Sequence, residues 1–403
     1  MRKIIPLFCG TLLAVSGFAE PGKLTLEQAL TRARIHSPEL KAARLQTKAA
    51  EQAIAASGRW ANPVFSFEAE GIGGNLDGVS DTEYTVALKQ TFQRGGKQKS
   101  SRAVAEKSVG IAFQVEAEKE MALLAEVRLA FIEVFAQQEV SLVRVEQEQL
   151  GRAFVAVAER RYAAGGASEL DVVQAELLLE EILLAQTCCF GDLKAARVKL
   201  ASLVGLAESL LPELEGTYYD LQTLEDSLIA DSHPSLQRLN AAIEVTRARA
   251  VQARAQDAAD ITLGVGYRYE AASDEGSFLF GASMPLSFSR PGRAIEAATL
   301  IQVDALRAEG EELRRKLQQQ LSVLVAVYSG AKLEAEMTRD RLMPKAKKAY
   351  QLSKNGYDAG RFSWFELITA QQHLADIRVR QIDALKEAHI ARAEVSRFMK
   401  KGI

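Results

Sequence analysis

The feature that most constrains this chain is that it is written twice. Near its start, His36-Ser37-Pro38-Glu39-Leu40 opens an alanine-rich helical stretch. At the midpoint Ser232-His233-Pro234-Ser235-Leu236 opens another, with Pro38 and Pro234 in matching positions. Further on, Arg161-Tyr162-Ala163-Ala164-Gly165-Gly166-Ala167-Ser168-Glu169-Leu170-Asp171 is echoed by Gly356-Tyr357-Asp358-Ala359-Gly360-Arg361-Phe362-Ser363-Trp364-Phe365-Glu366. Tyrosine, glycine, serine and the acidic residue fall in register.

Each half reads as helix, two strands, long helix, tight turn, helix. Residues 20–204 form the first repeat and 231–403 the second, with 205–230 between them as a linker that packs against the outside of the helices and contains Pro212 and Tyr218-Tyr219. The first helix covers 25–58, with Thr25 as N-cap and Gln28 completing a capping box. Its counterpart runs from about 233 to 257.

The predicted strands, 63–71, 82–93, 260–270 and 277–288, alternate strictly within an otherwise helical chain. Phe65, Phe67 and Ala69 oppose Ser66, Glu68 and Glu70, while Tyr84, Val86, Leu88 and Phe92 oppose Glu83, Thr85, Lys89 and Thr91. Ile261, Leu263, Val265, Tyr267 and Tyr269 oppose Thr262, Gly264, Gly266, Arg268 and Glu270. Phe278, Phe280, Ala282, Met284, Leu286 and Phe288 oppose Ser277, Gly281, Ser283 and Ser287.

Segments of about ten residues with one apolar and one polar face suit a membrane barrel with a wet lumen. The same alternation suits a soluble sandwich strand with one buried face. Two hairpins per chain weigh toward the barrel, because four strands cannot close and open edges are not tolerated in lipid. Closure then requires several chains, and three protomers would supply about twelve strands around an aqueous channel.

The loops 71–82 and 271–276 are glycine-rich and acidic and are expected to face outside. At the opposite strand ends, Arg94-Gly95-Gly96-Lys97 and Arg290-Pro291-Gly292-Arg293 break the strands and leave positive charge toward the periplasm. Trp60 before the first strand fits either an interfacial aromatic or a ring packed on a helix.

From Lys97 to Ala163 there is no proline, so one helix of roughly 100 Å is possible at about 1.5 Å per residue. Leu124, Val127, Phe131, Val134, Leu142 and Val145 give it a coiled-coil seam. The return helix spans about 168–204, and the second hairpin about 293–353 and 363–398 with Leu367, Ala370, Leu374 and Ile377 as its stripe.

Composition narrows the rest. With 48% hydrophobic and 25% charged residues in 403, a sizeable buried surface is expected, and a net charge of −2 offers no footprint for nucleic acid. The basic start Arg2-Lys3, the apolar run from Ile4 to Val15 and the small residues Gly17 and Ala19 predict a secretory signal over 1–19, cut after Ala19. Cys9 leaves with it and, following Phe8, is no lipidation site; Cys188 and Cys189 read as two semi-buried thiols. The histidines His36, His233, His373 and His389 are scattered, and no HExxH pair, phosphate-cradling loop or nucleophile elbow is present. We therefore expect no enzyme, no cofactor and no metal site.

The order of elements, the duplication and the two tip sequences resemble the TolC-type outer-membrane efflux protein family across essentially the whole mature chain, and the compact length is most similar to its CzcC-like heavy-metal branch. The resemblance implies a mixed, mainly α fold: a homotrimer with a twelve-stranded β-barrel in outer-membrane lipid, continued by a long α-helical periplasmic barrel closed at its tips. It implies a periplasmic adaptor (membrane fusion) protein at the tip turns, Gly165, Gly166, Ser168, Gly360 and Ser363 here, and a proton-driven inner-membrane transporter that supplies energy. Glu366 matches an acidic residue of the tip constriction, and Asp171 and Tyr357 match residues that tie neighbouring tips. A second acidic gate position is Thr369 here, and the family's basic partner falls on Phe362, with Arg361 one place early.

Three Glu366 carboxylates would make a negative constriction favouring cations, whereas Glu366 and Asp171 can also be read as acids at helix starts, where the dipole favours them. Passive export from the periplasm as part of a tripartite efflux pump, for heavy-metal cations or drugs, is the expectation. The channel of a type I protein secretion system and a soluble periplasmic coiled-coil scaffold or adaptor are the alternatives.

Overall fold

A computed structural model describes residues 23–72, 82–216, 218–221, 233–286 and 288–398. The predicted signal over 1–19, most of the 71–82 loop and the second part of the linker lie outside the described residues.

The first repeat begins with β1 (Leu24–Thr25) and α1 (Leu26–His36), capped as expected: Thr25 accepts from the Gln28 amide and the Gln28 side chain returns to the Thr25 amide. The expected continuous helix over 25–58 is broken. Pro38 forces Ser37 out of the helical region (ψ 117°), and Ser37 then caps a second helix, α2 (Pro38–Ala56), by accepting from the Leu40 amide. In the second repeat His233 and Pro234 start α5 (Pro234–Ala255) the same way, the imidazole Nδ1 accepting from the Ser235 amide.

Four strands form one antiparallel sheet in the order β2 (Val64–Glu70), β3 (Glu83–Phe92), β5 (Ile261–Glu270), β6 (Glu275–Ser283). The two hairpins thus join through β3 and β5. β6 differs from its predicted span. It begins two residues early because Glu275 pairs with Glu270, with Asp274 in the left-handed region (φ 51°) completing the turn. It stops at Ser283 because Pro285 has no amide to give the ladder.

The register keeps one apolar face continuous: Phe67 faces Val86, Val86 faces Tyr267, and Tyr267 faces Phe278. That face is uncovered among the described residues, with Phe65 70%, Phe278 76% and Phe280 82% exposed. Leaving each such side chain in water forfeits about 1.5–3 kcal/mol, and a face of them would consume a typical net stability of about 5–15 kcal/mol. The soluble-sandwich alternative needs this face buried, and no element among the described residues buries it.

Each hairpin continues into long helices. α3 (Lys97–Ala163) is one uninterrupted helix of 67 residues that returns as α4 (Glu169–Leu203). In the second repeat α6 (Pro291–Met337) passes through a π-helical turn (Thr338–Leu342) into α7 (Met343–Asp358), then α8 (Trp364–Val395) returns. Pro344 explains the turn, since it cannot donate to the helix and its ring crowds the carbonyl of Asp340; the wider turn absorbs both.

One buried cluster joins Val127, Phe131 and Val134 of α3 to Leu200 of α4, Val204 and Ala33 of α1. The linker is more ordered than its sequence suggests. β4 (Leu214–Glu215) pairs in parallel with β1, and Tyr218 is buried, stacks on Phe135 and donates to the Ile382 carbonyl at 2.8 Å. His389 Nε2–H donates to the Tyr218 carbonyl at 2.7 Å, tying the linker to α8.

Candidate functional site

The two helical turns farthest from the sheet are built alike. α3 ends with Gly165 at φ 72°; the Gly165 amide donates to the Tyr162 carbonyl and the Gly166 amide to the Arg161 carbonyl. α7 ends with Gly360 at φ 70°, its amide on the Tyr357 carbonyl and the Arg361 amide on the Gly356 carbonyl. Both are Schellman stops, which need a residue able to adopt the left-handed conformation. Gly356 has a separate purpose: a Cβ there would meet the Phe362 ring.

The return helices also start alike. Asp171 Oδ2 accepts from the Ser168 amide (2.8 Å) and hydroxyl (2.9 Å), and Ser168 Oγ accepts from the Asp171 amide. Glu366 Oε2 accepts from the Ser363 amide (2.7 Å) and hydroxyl (2.9 Å), and Ser363 Oγ accepts from the Glu366 amide. The backbone and hydroxyl bonds from serine hold both carboxyls below the ordinary carboxylate range, with Arg161 adding a smaller downward push on Asp171. Both acids therefore remain charged at neutral pH, and in this state both oxygens that accept are committed to helix capping, one of the two roles the sequence left open for them.

Tyr357 is joined to the other hairpin by a residue the sequence reading passed over. The Arg161 guanidinium lies over the Tyr357 ring, 5.1 Å from its centroid. Tyr357 in turn leans on Trp364 (5.7 Å), and Trp364 meets Phe154 edge to face (5.0 Å). A chain of rings and one cation thus runs from α3 to α7, α8 and back to α3, over a buried cluster of Phe154, Leu178, Ile182 and Leu367. Arg361 is exposed and makes no ion pair among the described residues; its contribution is the backbone amide just described. No signal adjacent to Arg161 in sequence announces its role, because its partner lies in the other repeat. The Ser-x-x-acid spacing at 168–171 and 363–366, by contrast, is a legible capping box.

At the opposite end, the polar sheet face carries a row of carboxylates in one register: Glu70 opposite Glu83, Glu83 opposite Glu270, Glu270 opposite Glu275. Arg268 pairs with Glu83 at 2.9 Å and donates to the Thr85 hydroxyl. Among the described residues no group of three or more His, Cys, Asp or Glu is placed to hold a metal ion. No helix among them is long and apolar enough to cross a membrane. Cys189 is buried and its thiol is pushed up by burial, while Cys188 is exposed.

The sequence profile described as Outer membrane efflux protein matches residues 29–206 and 213–399, one match per repeat. The chain belongs to this family. Outer membrane efflux proteins are channels of the outer membrane with helical extensions into the periplasm, not enzymes, and this chain is an efflux channel component. It is 24% identical over 392 residues to the cobalt-zinc-cadmium resistance protein CzcC of Cupriavidus metallidurans, covering 94% of this chain and 90% of that protein. It is also 24% identical over 321 residues to the nickel-cobalt-cadmium resistance protein NccC of Alcaligenes xylosoxydans, covering 75% and 71%. Among solved structures, CusC superposes with a TM-score of 0.78 at 16% identity, covering 93% of this chain and 92% of that one. VceC of Vibrio cholerae gives 0.74 at 16% identity, covering 92% and 94%. These likenesses make the fold that of the TolC-type channels.

Proposed function

We propose that three copies of this outer membrane efflux protein close their sheets into one twelve-stranded barrel and their hairpins into one helical tunnel, and that the tunnel exports heavy-metal cations received from a periplasmic adaptor and a proton-driven inner-membrane transporter. The observation that carries this reading is the four-stranded sheet. Its apolar face is uncovered and β2 and β6 each have an open edge. Lipid satisfies the face, and only like edges from further copies satisfy the strands. The polar face, with Arg268, Lys89 and the glutamate row, then lines the lumen.

The tip turns at Gly165, Gly166, Ser168, Gly360 and Ser363 are the adaptor contacts in this reading. Glu366 forms the constriction, its charge held on by Ser363, while Asp171, Tyr357 and Arg361 act at the contacts between tips. Cation export follows from that negative ring and from the resistance proteins similar to this chain along most of its length.

The test is the mass of the detergent-purified protein together with its conductance in planar bilayers. Trimers that conduct, with a cation preference that Glu366→Gln lowers, are expected. A monomer soluble without detergent that passes no current would overturn the channel. Loss of cobalt, zinc or cadmium tolerance on deletion of the protein tests the cargo, and unchanged tolerance to all three would overturn the metal assignment.

A further inference from the structure

The apolar pattern of the sheet outlasts its strands. Beyond Ser283, where β6 stops, the alternation that places Phe278 and Phe280 on one face continues through Leu286 and Phe288, which are 71% and 94% exposed. With Ile295 of α6, 53% exposed, they line a cleft of about 1100 Å³ between the sheet end of α5 and the start of α6. The cleft has a direction. Leu286, Phe288 and Ile295 make its sheet end apolar, while Arg249, Gln252, Thr299 and Gln302, two to three turns farther from the sheet, make its other end polar. Asp257 interrupts the apolar end, but its carboxylate is engaged: Oδ1 accepts from the Gly292 amide at 2.8 Å and holds the start of α6 against α5.

The free charge around the cleft is positive. Arg249 lines it, Arg290 lies between the lining residues Ser289 and Pro291, and Arg293 is on the first turn of α6. All three are exposed, and none makes an ion pair among the described residues, whereas the neighbouring acids are taken, Asp260 by Lys97 at 2.9 Å and Glu296 by Arg254 at 3.1 Å. At the same end of the sheet Trp60 stands exposed, edge to face on Phe92 at 5.6 Å. An exposed indole at the end of an apolar sheet face marks the level at which hydrocarbon gives way to headgroups. The carboxylate register Glu70, Glu83, Glu270 and Glu275 is at the opposite end.

An apolar slot continuous with that face and ending in unpaired guanidiniums fits a molecule with hydrocarbon at one end and a phosphate at the other, since the arginine fork matches phosphate oxygens. A free anion would leave Leu286, Phe288 and Ile295 in water. A lipid of neutral headgroup would leave the three arginines without a counter-charge. We propose that this cleft binds one anionic glycerophospholipid of the periplasmic leaflet, its acyl chains along Leu286, Phe288 and Ile295 and its phosphate on Arg249, Arg290 and Arg293. This rests on the reading above that the apolar face of the sheet meets lipid.

The test uses the full chain in detergent, stripped of lipid and titrated with phosphatidylglycerol, with phosphatidylcholine of the same acyl chains and with glycerol phosphate. Native mass spectrometry counts the bound lipid, melting temperature follows its effect, and conductance is recorded on the same preparation. One phosphatidylglycerol per protomer is expected, with a rise in melting temperature, weaker binding of phosphatidylcholine and none of glycerol phosphate. Arg249→Gln with Arg290→Gln and Arg293→Gln should weaken phosphatidylglycerol about tenfold or more and leave conductance intact. Lys347→Gln with Lys348→Gln and Lys354→Gln, which removes the same charge from exposed positions on α7, should leave lipid binding unchanged. Phe288→Ser with Ile295→Ser should weaken both lipids. Equal affinity for the two lipids, or an arginine variant that binds as well as the lysine variant, would overturn recognition of the headgroup. Glycerol phosphate binding as tightly as the lipid would make the cleft a free-anion site instead. Conducting trimers that bind neither lipid would overturn the site and leave the channel standing, and a non-conducting monomer soluble without detergent would remove the membrane reading and the site together.

Discussion

Single residues at the tip carry their roles through backbone geometry that can be tested directly. At Gly360 a Cβ would meet nothing within contact distance, so Gly360→Ala costs only the left-handed conformation, about 1–2 kcal/mol. Faster hydrogen exchange in 356–363 with the sheet unchanged is the expected outcome; Gly356→Ala should do more damage, because it must displace the Phe362 ring. His389 makes a pH-dependent contribution. Burial is the largest influence on it and lowers its pKa, nearby Arg392 adds to that, and the bond to the Tyr218 carbonyl opposes it only in part. The folded state thus prefers neutral imidazole, and below about pH 6.5, the ordinary value, the unfolded chain binds more protons than the folded one. The stability His389 contributes is present above that pH and is lost as pH falls through its depressed folded value. Melting temperature should drop between pH 7.5 and 5, and His389→Gln should flatten that slope; an unchanged slope would remove His389 as its source.

Elements were legible in the sequence where a local pattern determines them and illegible where a distant residue does. The alternation in 64–70 and 261–270 fixes both strand type and facing, and the proline-free run fixes α3 from Lys97 to Ala163. The end of β6 was obscured because alternation continues to Phe288, although Pro285 already denies the ladder a donor. The break at Ser37 and the π-helical turn before Pro344 have the same origin, a proline within an otherwise periodic pattern. Arg161 over Tyr357 and Tyr218 under His389 join residues more than 150 positions apart, and no spacing rule reaches that far. Among the site residues, the glycines and serines of the tip were legible for this reason, and the stack that welds the hairpins was not. The sheet faces yield a sharp prediction. In the proposed barrel, Phe280→Arg would place a charge on the lipid face and should cost about 2–4 kcal/mol if it sits near the midplane. Ser277→Arg, on the opposite face of β6, should cost far less. Refolding yields into bilayers would separate them, and equal losses would show that the two faces see the same solvent.

At the scale of the whole molecule, the proposed trimeric channel would place two sets of carboxylates in series along the path of a cation. One is the register Glu70, Glu83, Glu270 and Glu275 at the loop end of the sheet, of which Glu83 is partly offset by Arg268. The other is Glu366 at the tip, one per copy. In the proposed trimer, repetition around three copies would turn each into a ring, and charges on a ring reinforce one another within a Debye length, about 10 Å at 0.1 M salt and 3 Å at 1 M. Glu366→Gln should therefore reduce but not abolish the cation preference, because the outer ring still filters. Adding Glu70→Gln, Glu270→Gln and Glu275→Gln should bring the reversal potential under a salt gradient close to zero. Both effects should shrink as the salt on the two sides is raised at constant ratio. If Glu366→Gln alone removed all selectivity, the barrel would be too wide for its glutamates to act on the passing ion, and the tip would be the sole filter. If the outer triple substitution alone did so, the tip would stand open at rest, with its carboxylates confined to capping α8.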